Sequence, residues 1–207
     1  MGRNTVAKKA EPSNRKSKIE NRESALPAIA ISSTSVAVKI PAATLRKLIR
    51  CVAKAESCRL AQVDLAIVSA EEIALYNRRF LRHLGETDVL SFDLTESELK
   101  AKPQAAMAVP GLSIQLIVCG DVAAKQGPLR GLTAEHELML YIVHGLLHQM
   151  GYEDLTVRGR AKMHAREDEI LSDFGPGPAF YASKPKTTAK TTVNCRERRG
   201  RKEKTKA

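Results

Sequence analysis

The stretch TAEHELMLYIVHGLLHQMGYED, residues 133–154, decides how the rest of this chain is read. Thr133 is a residue type that caps helices, and Leu138, Tyr141, Ile142, Leu146, Leu147 and Met150 then make the segment apolar around much of its circumference. A helix of that kind is expected in the interior, running from Ala134 to about Met150, and Gly151, free to adopt positive φ, is expected to end it. His144 and His148 lie four residues apart on this helix, so both imidazoles project from one face about one turn from each other. Histidines on a buried helix are not casual surface residues.

Working outward, segments of both periods appear. SVAVKI at 35–40 alternates as a strand would, and TLRKLIRCVAKAE at 44–56 places Leu45, Leu48, Ile49, Val52 and Ala53 on one helical face. Val63–Val68 reads as a strand. Ser69 followed by Glu71 and Glu72 signals a helix start for a segment reaching about Phe80. Asp88–Leu94 and Leu112–Val118 read as further strands, with Asp121 expected to cap the segment that follows the second of them. A last helix is expected over Val157–Phe174. Helices and strands mix without strict alternation, which predicts an α+β fold: one mixed sheet with helices packed against it and a metal site on a central helix.

Charge is unevenly distributed. The chain carries a formal net charge of +11, but residues 1–23 hold seven Lys/Arg against three Glu and residues 181–207 hold ten against two. The span between them is therefore close to neutral, and the basic excess belongs to the ends. The tails at 1–33 and 175–207 are too polar to offset the entropy of ordering and are expected to be disordered, leaving a domain at 34–174. Aromatics are only 4% and Trp is absent, so the core must be aliphatic. Cysteines 51, 58, 119 and 195 form no CxxC pair, which suits a reducing compartment. With no apolar run near the ~18–20 residues of a bilayer span and no secretory leader pattern, a cytoplasmic protein that does not enter membranes is expected.

The pattern HxxxHxxGxxD at 144–154 offers two nitrogens and, from Asp154, one carboxylate oxygen. Three protein ligands with a fourth position open is the arrangement of a catalytic zinc site, here one Zn²⁺ ion. The bound cation would acidify water and polarise a carbonyl or phosphoryl oxygen, which is hydrolytic chemistry. Glu153 and His164 are rival third ligands, though Glu153 would need a different turn and His164 lies on the next helix. His136 and His83 read as non-ligands. Peptidases with HExxH carry a glutamate beside the first histidine; Gly145 stands there instead, which argues against peptide hydrolysis.

HGLLHQMGYED resembles the HGxLHLxGYDH signature of the YbeY family. LYNRRFLRHLGETDVLSFDL at 75–94 is similar to that family's LNxxYRxxDxPTDVLSF segment, matching at Asn77, Thr87, Asp88, Val89, Leu90, Ser91 and Phe92. Gly120-Asp121-Val122 is similar to its GDIxI strand end. The resemblance implies a metal-dependent endoribonuclease specific for single-stranded RNA. It also implies action in ribosomal RNA maturation at the small-subunit 3′ end and in ribosome quality control, with ribosomal RNA and the small ribosomal subunit as partners. It implies His144, His148 and Asp154 as metal ligands, Asp154 standing where the family usually has histidine. The family's arginine, tied to RNA binding or transition-state charge, aligns with Leu81, so Arg82 beside it becomes the candidate for that role, with Arg78 and Arg79 one turn earlier. Two other readings stand beside this one: a zinc hydrolase on a non-RNA substrate, and a ribosome-associated metal protein that cleaves nothing.

Overall fold

The computed structural model describes residues 26–95 and 111–180. Its centre is a four-stranded mixed sheet, β1 Ala28–Ser33, β2 Leu60–Val68, β3 Val89–Asp93 and β4 Leu112–Cys119, in the order β1-β2-β4-β3. The first three strands in that order run parallel, and β3 runs antiparallel to β4 at the sheet edge. Parallel neighbours need a crossover, and α1, Ala42–Ala55, supplies it between β1 and β2.

The remaining helices are α2 Ala70–Tyr76, α3 Gly120–Leu129, α4 Ala134–Gln149 and α5 Val157–Phe174. α4 packs on β3 and β4 on one side and on α1, α3 and α5 around the rest, which is why Leu138, Ile142, Leu146 and Leu147 are fully buried. Each such leucine removed from water contributes roughly 1.5–3 kcal/mol, so the all-round apolar composition of α4 follows from its central position. Gly145 lies where α4 faces β3 and β4. A Cβ there would stand 2.9 Å from Leu116 Cδ2 and 3.0 Å from Val89 Cγ2.

The expected helix starts at Ser69 and Thr133 are present. Ser69 and Glu72 form a reciprocal capping box, and the Thr133 hydroxyl accepts from the His136 amide. Gly151 ends α4 with φ +104°.

Four expectations are corrected. The first strand is 28–33, not 35–40. Both stretches alternate, but only 28–33 finds a ladder partner in β2, while Val36 in the second is 83% exposed and Pro41 follows to start α1. The ordered chain therefore begins before residue 34. It also continues past Gly175, because Asp168 Oδ1 accepts from the amides of Ala179 and Phe180 at 2.6 and 2.9 Å. The helix from Ser69 does not run on as a regular α-helix. It passes into a π turn at Asn77–Leu81 and stops at Arg82, whose φ is +60°. Asp121, finally, does not cap its own helix, where Cys119 takes that position. Its carboxylate accepts from the Ala70 amide at the start of α2 and from the Ser35 hydroxyl. Residues 1–25 and 181–207, which hold most of the expected basic tails, lie outside the described residues.

Candidate metal centre

The helical spacing of His144 and His148 brings their rings to a centroid separation of 4.5 Å, nearly perpendicular, with the two Nε2 atoms 3.0 Å apart. What lies behind each ring fixes what those atoms present. His144 Nδ1 is 2.7 Å from Glu167 Oε1, and Glu167, on α5, is fully buried. His148 Nδ1 is 3.1 Å from the backbone oxygen of Tyr152, an atom that can only accept. In the neutral rings both Nδ1 atoms therefore carry the proton and donate it outward, which leaves both Nε2 lone pairs aimed at the same small space. Two lone pairs at that distance repel unless a proton or a metal ion lies between them.

Asp154 enters from the loop after Gly151, with Oδ1 4.0 Å from His148 Nε2. Among the described residues, His144, His148 and Asp154 form a group whose ligand atoms all lie within 4.8 Å of one another. Tetrahedral zinc with bonds of ~2.0–2.2 Å requires ligand atoms about 3.3–3.5 Å apart, between the two separations seen here. The donor set thus fits a divalent cation, and the outward hydrogen bonds to a buried carboxylate and a carbonyl are the outer support that metal-bound histidines require.

Electrostatics agree with that fit. Burial opposes charge on His144, but the hydrogen bond and negative charge of Glu167, with Asp88 and Asp154 adding to them, outweigh it and hold its pKa above the ordinary histidine value.

A second buried network holds the first in place. Glu56, at the end of α1, accepts from the Tyr152 hydroxyl at 3.2 Å and from Arg166 Nε at 2.6 Å, and Arg166 also donates to the Ala55 carbonyl. Burial, then the Glu56 charge, push the Tyr152 phenol up to about 12. Tyr152 is thus gripped at its hydroxyl while its carbonyl grips His148. On the opposite side, Gln149 donates to the Ser91 hydroxyl at 2.8 Å and ties the end of α4 to β3.

The other candidates fall elsewhere. Glu153 is exposed and outside the ligand group. His164 stacks flat on Phe180 at 3.8 Å. His136 is buried in the first turn of α4, where burial lowers its pKa, and His83 is exposed in the loop beyond the π turn. Arg82 is exposed at the end of the π turn, not within the ligand group. Sequence reasoning missed Glu167, although there was a signal: Met163, Glu167, Ile170 and Leu171 share one face of α5, and a carboxylate in the middle of an apolar stripe needs a partner. No comparable signal marked the Tyr152 carbonyl, which acts through its backbone.

A mixed-sheet α+β domain with a His–His–carboxylate cluster on its central helix defines a candidate metal-dependent hydrolase. The family description Endoribonuclease YbeY matches residues 29–175, and the chain belongs to the YbeY family. It is 33% identical over 141 residues to a Salinibacter ruber protein named Endoribonuclease YbeY, covering 68% of this chain and 88% of the relative. A Mycobacterium sp. (strain KMS) protein of the same name is 31% identical over 114 residues, covering 55% of this chain and 64% of the relative. A Thermotoga maritima solution structure aligns with a TM-score of 0.46 at 22% identity, covering 77% of this chain and 99% of that one. No helix among the described residues is long and apolar enough to cross a membrane.

Proposed function

We propose that this chain is a zinc-dependent endoribonuclease that cleaves single-stranded RNA, acting in the cytoplasm on ribosomal RNA of the small subunit, at its 3′ end, and in ribosome quality control. The observation that carries the reading is the pair of Nε2 atoms 3.0 Å apart, each ring tied back through Nδ1, in a chain of the YbeY family. His144, His148 and Asp154 would hold one zinc ion. When bound, such an ion polarises a phosphoryl oxygen and lowers the pKa of water toward neutrality.

The chain's own residues do the rest. Glu167 accepts from His144 Nδ1 and the Tyr152 carbonyl from His148 Nδ1, so each ring in its neutral form turns its Nε2 lone pair to the site. Asp154, half-exposed, leaves the solvent side open for a substrate strand. Arg82, exposed and positive, would supply a phosphate contact. Peptide hydrolysis of the HExxH kind is disfavoured, since the place of its glutamate is Gly145, pressed against Leu116 and Val89 with no room for a side chain directed at substrate.

The test pairs metal analysis with cleavage of a single-stranded ribosomal RNA fragment, using the full chain and His144→Ala. One zinc equivalent and strand cleavage in the wild type, both lost in the variant, are expected. A wild type with no bound zinc overturns the metal site, and zinc without cleavage leaves a metal-binding protein of another function.

A further inference from the structure

The segment leading to the DVLSF strand is unusual in what it exposes. Phe80 is 52% exposed, Tyr76 36%, Leu81 48% and Leu84 86%, so apolar side chains are exposed among the arginines of one short segment. The aromatic members are ordered against one another. Tyr76 and Phe80, four apart across the π turn, stack with their planes 17° apart and centroids at 6.2 Å, and Phe80 meets Phe92 of β3 edge-on at 5.3 Å. The Arg79 guanidinium lies over Phe80 at 5.7 Å. Residues 73–85 contain Arg78, Arg79, Arg82 and His83 and no acidic residue. The backbone that holds them combines a π turn with left-handed Arg82, and Asn77 closes the loop by donating to the Gly85 carbonyl at 3.0 Å. Both irregularities are costly and concentrate at binding and catalytic positions.

Aromatic rings beside arginines, in a segment 73–85 without carboxylates, match the chemistry of unpaired nucleobases on a polyanionic backbone. Phe92 lies across the β3 edge from α4. Ser91, held by Gln149, and Phe92 are consecutive on β3, so their side chains project to opposite faces of the sheet. β3 is an edge strand, and Gln149 directly follows His148.

We propose that Tyr76, Phe80 and Phe92, with Arg78, Arg79 and Arg82, form a base-stacking subsite that takes the unpaired bases of a single-stranded RNA and passes the strand over the β3 edge toward His144 and His148. The proposal rests on the endoribonuclease reading and gives it a physical basis for strand selection. A duplex, with a persistence length of about 50 nm in the case of DNA, cannot turn around one sheet edge, and its bases are not free to stack on protein rings. A single strand can do both.

Fluorescence anisotropy with the full-length chain tests the subsite, using a short single-stranded oligoribonucleotide, the same backbone with abasic positions, and a duplex, each over a range of salt. Wild type binds the strand with bases more tightly than the abasic strand or the duplex. Phe80→Leu, which keeps apolar bulk but removes the ring, weakens binding of the strand with bases by about 5- to 100-fold. It leaves abasic binding and the salt dependence unchanged, and Phe80→Trp restores affinity. Arg78→Ala weakens all single strands alike and lowers the salt slope by about one. Equal wild-type affinity for strands with and without bases overturns the subsite and leaves the exposed rings to a protein partner, and so does an unchanged affinity in Phe80→Leu. Cleavage measured on the same strands separates the two readings: cleavage without base-dependent binding sinks the subsite alone, and base-dependent binding without cleavage sinks the nuclease reading alone.

Discussion

Glu167→Gln is the sharpest perturbation of the site, because it removes one charge from a fully buried position 2.7 Å behind a ligand histidine and leaves the shape almost unchanged. A carboxylate can only accept from His144 Nδ1, which forces the lone pair to Nε2. An amide can also donate, which permits the opposite tautomer and turns a proton toward the metal position. Outer partners of this kind change metal affinity by about 10- to 100-fold. At free zinc 100 times the wild-type dissociation constant, binding stabilises the wild type by about 2.7 kcal/mol. The same zinc concentration would stabilise the variant by only about 1.4 kcal/mol for a tenfold loss and about 0.4 kcal/mol for a hundredfold loss. For a domain of this size 1 kcal/mol corresponds to about 2–4 °C, so zinc should raise the wild-type Tm by about 5–11 °C and the variant's by about 1–6 °C. Thermal melts of each protein with and without zinc read this directly, and comparing each protein with its own metal-free form cancels any intrinsic destabilisation. An equal zinc-induced shift in the two proteins would refute the argument that Glu167 orients His144.

Asp154→Ala should lower zinc affinity while Asp154→His keeps it, since the second variant retains a donor atom; calorimetric zinc titration distinguishes them, and equal affinities in Asp154→Ala and wild type remove Asp154 from the ligand set. Gly145→Ala places a methyl within 3.0 Å of Leu116 and Val89, so overpacking of about 1–3 kcal/mol should outweigh the ~1 kcal/mol helix-propensity gain and lower the denaturation midpoint. Glu72 has its pKa lowered by the Thr34 hydroxyl first and then by the Ser69 amide, with partial burial opposing them. A depressed carboxylate contributes stability above its unfolded pKa and loses it as pH falls through the folded value, so wild type should lose stability below about pH 4.5 more steeply than Glu72→Gln. Urea melts from pH 7 to 3 would show parallel curves if the capping box carried none of this dependence.

Much of this protein is legible in its residues alone, for local reasons. Thr133, the apolar run of 138–150 and Gly151 specify a buried helix and its end, because capping, periodicity and positive φ act within a few residues. The i, i+4 histidines follow from helix geometry, and the resemblance of three short blocks pointed to the family that the match over residues 29–175 then showed. Tertiary structure decided the rest. Whether 28–33 or 35–40 became the first strand depended on which could pair with β2, and Asp121 came to accept from the first amide of α2, fifty-one residues earlier, because the sheet carries the end of β4 beside the end of β2. The same holds for the candidate centre. The sequence by itself placed His144 and His148 on one helix face and offered Asp154 after a turn. Only packing of α5 and α1 against α4 brought Glu167 behind His144 and Glu56 onto the Tyr152 hydroxyl, and those hydrogen bonds, 23 and 96 residues apart in sequence, have no period or spacing by which a linear reading could find them.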